Sequence, residues 1–421
     1  MGGGPRAAPS LTRHHRRPCP SPQGESARAS VLRARLDAVL LVLPLAAFLG
    51  VFFLWPLGTM IASAVQGGTV RLVFPETAAV LAAWDGQGPP TPALEAALAR
   101  DLRAEVPQER FGDAVRALNS QQAGFRTLLP RTAAAVRAAP AGAPPDLAAI
   151  DPRWREPAFW LALRRSMPAY TDANLLAALD LRRADDGGVA AVPPELAVNR
   201  AIMGRTFLIA LQVTLACAAI GLPYAMLAAS LSGWTRGLML LAVLLPLWTS
   251  LLVRTAAWMV LLQDGGLINQ ALKALGLITA SLPLIYNRAG VLVAMTHVLL
   301  PFMVLPIYAS LVAIPKNLMP AAAALGAPPL QAFRHVLLPL AMPGLLAGSL
   351  LVFMVALGYY ITPALTGGAG DQMISSVIAF YALGTANWGM AGALGLFLLV
   401  PTTVLYLVYG RLTRTPPMQG A

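Results

Sequence analysis

The sequence predicts an all-α integral membrane protein with six transmembrane helices and a helical extracytoplasmic insertion between the first and the second helix. Three observations lead to this fold class. Of the 421 residues, 57% are apolar and 12% charged, which is too apolar for an ordinary soluble domain. Six apolar runs are each long enough to cross a hydrocarbon core of about 30 Å. Charged residues return in the long segment between the first two runs.

The chain begins with a basic segment, residues 1–36, that is rich in Pro, Gly, Ser and Arg and has no periodic apolar face. We predict a disordered cytoplasmic tail here. The first transmembrane helix is predicted at residues 37–64, with its basic flank retained in the cytoplasm. A cleavable signal peptide is the alternative, because Ala62-Ser63-Ala64 resembles a cleavage site. Signal peptides have apolar cores of only about 7–15 residues, so we expect a retained anchor.

Residues 65–203 form the predicted insertion, where 15 Arg or Lys balance 15 Asp or Glu. Leu98, Leu102, Phe111 and Val115 recur at roughly helical spacing among these charges, which predicts a small helical domain. The whole excess of +12 therefore lies on the tail, the helix ends and the short loops. That distribution favours the positive-inside rule over nucleic-acid binding. The insertion shows no catalytic or metal-binding spacing, and its role is not readable from sequence.

Five further apolar runs complete the predicted membrane core at 204–412: residues 206–231, 237–262, 290–314, 344–365 and 390–412. With the tail inside, residues 315–343 form a cytoplasmic loop, and residues 413–421 form a cytoplasmic C-terminal tail. The short-loop charges agree with this topology, since five basic residues fall on the cytoplasmic side. They are Arg236, Lys316, Arg334, Arg411 and Arg414.

Chemistry-bearing residues are sparse. The cysteines, Cys19 and Cys217, are isolated, and His297 sits in an apolar run where a packed histidine is the expected role, so no metal site is predicted. A phosphate-binding P-loop needs Gly-Lys followed by Ser or Thr, and neither Lys273 nor Lys316 follows a glycine. We therefore expect no catalytic residue and no cofactor in this chain.

The cytoplasmic loop has the most distinctive pattern. An alanine-rich stretch precedes Gly326, prolines follow it, and an apolar stripe ends at Pro339. A glycine can take positive φ to end a helix, and proline suits the first turn of the next one. The pattern therefore predicts two short helices that meet at a tight corner, with Leu330, Phe333 and Leu337 as an apolar ridge. An ordinary amphipathic hairpin at the membrane surface is the alternative.

This stretch resembles the EAA loop of ABC importer permeases, with Ala321-Ala322, Gly326 and Leu338-Pro339 in register. The departure is Pro320, which stands where the family has a glutamate. The resemblance implies a type I ABC importer permease fold and a loop that docks a separate ATPase. The coupling residues it implies are Ala321, Ala322, Leu325, Gly326, Ala327, Leu330, Phe333, Leu338 and Pro339.

The resemblance extends to the segments 246–255, 298–306 and 356–365, which look like the spermidine/putrescine branch of these permeases. It implies a polyamine substrate, two cassette ATPase subunits that use ATP, a second permease subunit in a heterodimer, an extracytoplasmic solute-binding protein and an inner-membrane location with both termini cytoplasmic. Two other functions stay open on the residues alone. They are an ion-gradient-driven secondary transporter and a membrane-anchored extracytoplasmic sensor.

Five residues are candidates for the substrate pathway. Arg254 is the one charge within the third predicted span, and Trp258 lies one turn further on the same face. Tyr359, Tyr360 and Thr362 interrupt the fifth span. Snorkelling of the arginine and an interfacial aromatic belt are the alternatives. No Asp or Glu lies within the six predicted spans, so the polyamine assignment depends on the resemblance alone.

Overall fold

The computed structural model describes residues 2–3, 39–84, 90–140, 146–184 and 188–412. The predicted tails, residues 1–36 and 413–421, lie outside the described residues apart from Gly2 and Gly3. The chain divides into two compact units, Met1–Thr59 and Met60–Ala421. Six helical segments of the described chain are long and apolar enough to cross a membrane.

The first of these segments, α1, spans Val39–Val65. Gly50–Leu54 forms a π-helical stretch, followed by regular α-helix over Trp55–Val65. Its apolar side chains before residue 59 are exposed, among them Leu41, Phe52 and Trp55. A run of exposed apolar residues of this length fits a lipid-facing helix.

The insertion that follows is helical, as the sequence predicts, with one short hairpin. Its helices are α2 (Thr69–Val73), α3 (Pro75–Leu81), α4 (Pro92–Arg103), α5 (Gln108–Gln121), α6 (Phe125–Ala138), α7 (Leu147–Ile150), α8 (Pro157–Arg165) and α9 (Ala173–Ala178). The antiparallel strands β1 (Leu181–Arg183) and β2 (Val189–Ala191) pair Leu181 with Ala191.

Aromatic side chains hold the centre of the insertion. Trp154 and Trp160 are fully buried, with ring centroids 5.0 Å apart. Each indole has an acceptor: Trp154 donates to Thr132 Oγ1 at 2.9 Å and Trp160 to the carbonyl of Trp154 at 2.8 Å. Satisfied indoles let two large side chains be buried without an unpaired donor.

One buried carboxylate of the insertion is paired with two arginines. Asp151 accepts from the Arg153 guanidinium at 2.8 Å, and Arg131 lies within 3.6 Å. The hydrogen bond from Arg153 is the main reason that the pKa of Asp151 falls to about 2. The carboxylate is therefore ionised throughout the physiological range and stabilises the fold there.

The remaining helices form the membrane core. They are α10 (Asn199–Ser230), α11 (Gly233–Leu244), α12 (Leu251–Leu262), α13 (Leu267–Ala274), α14 (Arg288–Ala313), α15 (Leu318–Ala324), α16 (Pro329–Ala332), α17 (Leu338–Gly358), α18 (Ile361–Thr366), α19 (Ile374–Ala379) and α20 (Trp388–Leu412). Short π-helical stretches, Phe333–Leu337 and Phe380–Gly384, precede α17 and follow α19.

Three long helices, α10, α14 and α17, pack against one another around buried apolar side chains. Gly344 is needed where α17 crosses α14, because a Cβ there would collide with the carbonyl oxygen of Pro306 and with Ser310. Small residues allow such close approach between membrane helices.

The prediction of a continuous third span at residues 237–262 is wrong. The apolar run is divided into α11 and α12 by a 3₁₀ turn over Leu245–Trp248 and by extended backbone at Thr249 and Ser250. Pro246 causes the break, since it has no N–H for the helical ladder. The third segment long enough to cross therefore runs over Leu251–Ala274, with a turn between α12 and α13.

The boundaries of the fifth span also differ from the prediction. The apolar stripe predicted to end at Pro339 continues beyond it. One helix runs from Pro329 to Gly358 through the π-helical stretch. Pro339 is the second residue of α17, so its missing N–H falls where the backbone passes from the π-helical stretch to the α-helix. The far end breaks at Tyr359 and Tyr360, so the residues after Gly358 form the separate short helix α18.

Candidate functional site: the coupling loop and the polar residues of the core

The loop between α14 and α17 is a helix–corner–helix. Helix α15 ends at Ala324, and Gly326 has a φ of +85°, as the sequence predicts. The Gly326 N–H donates to the Ala323 carbonyl at 2.9 Å and the Ala327 N–H to the Ala322 carbonyl at 3.1 Å. These two bonds are those of a Schellman motif, which satisfies the last carbonyls of α15. Pro328 caps the following helix, α16.

Apolar side chains stand out from this corner into open space. Leu325 is 89% exposed and Leu330 is 77% exposed. Ala321 is exposed as well, whereas Ala322, Ala327 and Phe333 are half-buried. Exposed leucines on a tight corner are typical of a surface that another protein covers.

Leu337 of the predicted ridge and two of the implied coupling residues, Leu338 and Pro339, have other surroundings. Leu337 packs against the apolar core formed by α10, α14 and α17. Leu338 is half-buried and Pro339 is exposed, and both belong to the first turn of α17. The exposed ridge is therefore shorter than predicted, because the loop helix continues directly into the membrane helix.

Pro320 fits its position without strain on the helix. It is the third residue of α15, Leu318–Ala324, where the backbone N–H has no partner within the helix. It is also exposed. The substitution thus removes the family's carboxylate while preserving the shape of the corner.

Arg254 lies on α12, and its neighbours come from three elements. Trp258 donates from Nε1 to His297 Nδ1 at 3.1 Å, which ties α12 to α14. Arg254 is close enough to His297 and Tyr359 to interact with both electrostatically. Its Nε and Nη1 atoms are buried and have no hydrogen-bond partner within the part of the chain that the structure describes. Burying an unpaired guanidinium inside a protein costs about several kcal/mol, which is the effective penalty for a buried ion. The two unpaired N–H groups of Arg254 could therefore still donate to an acceptor.

The other predicted pathway residues are at the break between α17 and α18. Tyr359 is half-buried, and its carbonyl accepts from Ser375 Oγ at 2.8 Å. Tyr360 is 39% exposed. Thr362 is buried, with its Oγ1 3.2 Å from Thr255 Oγ1, so in this conformation its hydroxyl joins α18 to α12. The structure thus brings Arg254, Trp258 and Tyr359 together and leaves Thr362 in a packed position.

Sequence reasoning missed three polar side chains of the core. Gln212 Oε1 on α10 and Thr296 Oγ1 on α14 are buried without a partner, and His297, expected to be only a packed residue, accepts from Trp258. Unpartnered buried polar atoms are rare in folded proteins. The sequence shows that these polar residues lie inside apolar runs, which is the one available signal. It does not show which of them lack a hydrogen-bond partner in the folded protein.

Six membrane-spanning segments, broken helices in the core and an exposed helical corner define a class of protein, the multi-span membrane permease that works with a partner. Residues 221–415, which include the corner, match the family of binding-protein-dependent transport system inner membrane components. The chain belongs to this family, and it is the permease subunit of an ABC importer.

Two relatives are from Escherichia coli (strain K12). The spermidine/putrescine transport system permease protein PotB is 36% identical over 49% of this chain and 74% of its own length. The inner membrane ABC transporter permease protein YdcU is 37% identical over 50% of this chain and 71% of its own length.

A solved bacterial alginate ABC transporter, in complex with an alginate pentasaccharide-bound periplasmic protein, contains a similar chain. The likeness has a TM-score of 0.44 and 18% identity, and it covers 53% of this chain and 81% of that chain.

Proposed function

We propose that this chain forms half of the pathway by which a polyamine, spermidine or putrescine, is imported across the inner membrane. The observation that carries the proposal is the coupling loop, where Leu325 and Leu330 stand exposed on a corner fixed by Gly326. The polyamine part is supported by the relative PotB, a permease protein of a spermidine/putrescine transport system.

The partners follow from the same proposal. Two cassette ATPase subunits would dock on the coupling loops of this chain and of a second, different permease subunit. A solute-binding protein would deliver the polyamine on the other face, where the insertion would lie, with both termini in the cytoplasm. This chain would bind no cofactor and would catalyse no reaction, since ATP is used by the partner.

The core residues around Arg254 are proposed to line the pathway. Trp258 and Tyr359 lie beside Arg254. Because polyamines carry ammonium donors and no acceptor, the two aromatic rings would contact the solute, and the guanidinium, whose two buried donors have no acceptor among the described residues, would border the pathway without binding the solute. A helix break such as that at Tyr359 and Tyr360 exposes backbone groups, which in a membrane are tolerated where they face protein or a water-filled cavity. Thr362 belongs to this set through its bond to Thr255.

Reconstitution tests the proposal. The chain is purified with a cassette ATPase, a second permease and a solute-binding protein from the same organism and placed in proteoliposomes with internal ATP. We expect uptake of radiolabelled spermidine that requires both ATP and the binding protein. Matched liposomes with a hydrolysis-deficient ATPase serve as the control. Uptake driven by an ion gradient without ATP would indicate a secondary transporter, and no uptake of any solute would favour the sensor alternative.

A further inference from the structure

A large cavity opens between the insertion and the start of the last membrane helix. Its volume is about 1410 Å³. One wall comes from the insertion, through α5, α8, α9 and β1, and the other from Tyr381, Thr385, Asn387 and Met390 around the beginning of α20. Whatever enters this cavity contacts both the insertion and a membrane helix.

The lining of this cavity is strongly basic. Among the described lining residues, five are arginines and one is an aspartate, Asp172. Asp172 is already paired with Arg183. Arg116 is bonded to Asp113 through one nitrogen, but its Nε is buried without a partner. The excess positive charge in a concave, partly shielded site favours an occupant that carries carboxylates.

The size of the cavity and its rim favour a protein occupant. Small-molecule sites usually have volumes of about 300–1,000 Å³, which is less than this cavity holds. Tyr170, 75% exposed, and Leu196 also line it. Tyrosine and arginine are the residues enriched at the energetic centres of protein interfaces.

We infer that this cavity is the docking site for an acidic loop of an extracytoplasmic protein. The inference rests on the proposed function, in which that protein is the solute-binding protein. It adds the site and its chemistry: arginines of the insertion would bind carboxylates of the partner. Because the second wall includes Met390 of α20 and the residues just before that helix, docking would favour one position of the start of α20 over others. The insertion then serves as a receptor that transmits binding of the loaded partner to the membrane core.

Charge reversal tests the inference. Arg126→Glu combined with Arg182→Glu changes two arginines that line the cavity, and both side chains are exposed. The probe is the solute-binding protein used in the reconstitution, and its binding to the assembled transporter in nanodiscs is measured at low and high salt. We expect the affinity to fall by about tenfold or more at low salt, mostly through slower association, and by less at high salt.

Matched controls make the result specific. Arg110→Glu with Arg155→Glu introduces the same charge change at exposed residues of the insertion that do not line the cavity. If this control weakens binding as much as the cavity variant, the cavity inference is wrong. The milder pair Arg126→Gln with Arg182→Gln is a second variant, and an intermediate loss of affinity is expected from it.

Two further outcomes separate the inference from the proposed function. Wild-type transporter that takes up polyamine normally while the cavity variant binds the partner normally would overturn only the inference. A wild type that neither binds the partner nor transports would overturn the proposed function as well.

Discussion

Single polar residues in the core have partners that only the folded structure assigns. Trp258 and His297 satisfy each other across two helices, whereas the nearby Arg254 keeps two buried donors without an acceptor. Replacing an unpaired buried charge by an apolar residue of similar volume is often neutral or stabilising. A residue whose loss does not destabilise the fold but abolishes transport has a functional role.

Arg254→Met is therefore expected to lower polyamine uptake by at least about tenfold while the melting temperature of the transporter stays the same or rises. Val253→Met is the matched control, because Val253 is the preceding residue of α12 and its side chain is exposed. Uptake and thermal unfolding are measured on the same reconstituted preparations. A snorkelling arginine predicts the opposite, namely normal uptake in both variants.

At the scale of elements, the coupling corner depends on one backbone conformation. Gly326 has positive φ, and a Cβ at this position would meet nothing within 4 Å. A side chain at position 326 would therefore be disfavoured by the positive φ of the backbone and not by a steric clash. A β-branched residue disfavours this conformation strongly, whereas asparagine tolerates it.

Gly326→Val is expected to uncouple ATP hydrolysis from transport, since loss of the Schellman motif changes the angle between α15 and α16. Gly326→Asn is expected to retain most of the coupling. The measurement is the number of polyamine molecules imported per ATP hydrolysed, together with membrane insertion as a check on folding. Equal coupling in the two variants would falsify the role given to this corner.

On the scale of the whole molecule, one carboxylate joins the insertion to the membrane core. Asp180 is buried and has a φ of +56°. Its carboxylate accepts from the backbone N–H groups of Asn199 at 2.9 Å and Arg200 at 2.8 Å. These are the first two donors of α10, and a carboxylate there also interacts favourably with the helix dipole.

Asp180→Ala is expected to loosen this junction, at a cost of about 1–2 kcal/mol for a lost helix cap. Asp180→Asn keeps an acceptor and tolerates positive φ, so a smaller effect is expected. Hydrogen exchange of the first turn of α10 in the intact transporter measures the loosening. Protection that is unchanged in the alanine variant would mean that the junction is held by other contacts.

Much of the architecture could be predicted because hydropathy and spacing are local properties. Run length and composition indicated six spans and a helical insertion, and the positions of Ala321, Ala322 and Gly326 indicated the corner that the structure contains. Breaks inside apolar runs were harder to foresee. Pro246 ends a helix, whereas the helix continues through Pro339 by way of a π-helical stretch, and the residue type alone does not distinguish the two cases.

The sequence by itself determined that the chain spans a membrane, how many times it does so, and which loop has the family's spacing, since each depends on residues near one another in the chain. Only the tertiary structure decided that Arg254 lacks an acceptor, that Asp180 caps α10, and that five arginines surround one cavity. These facts join residues from distant parts of the chain, and their partners exist only once the helices have packed.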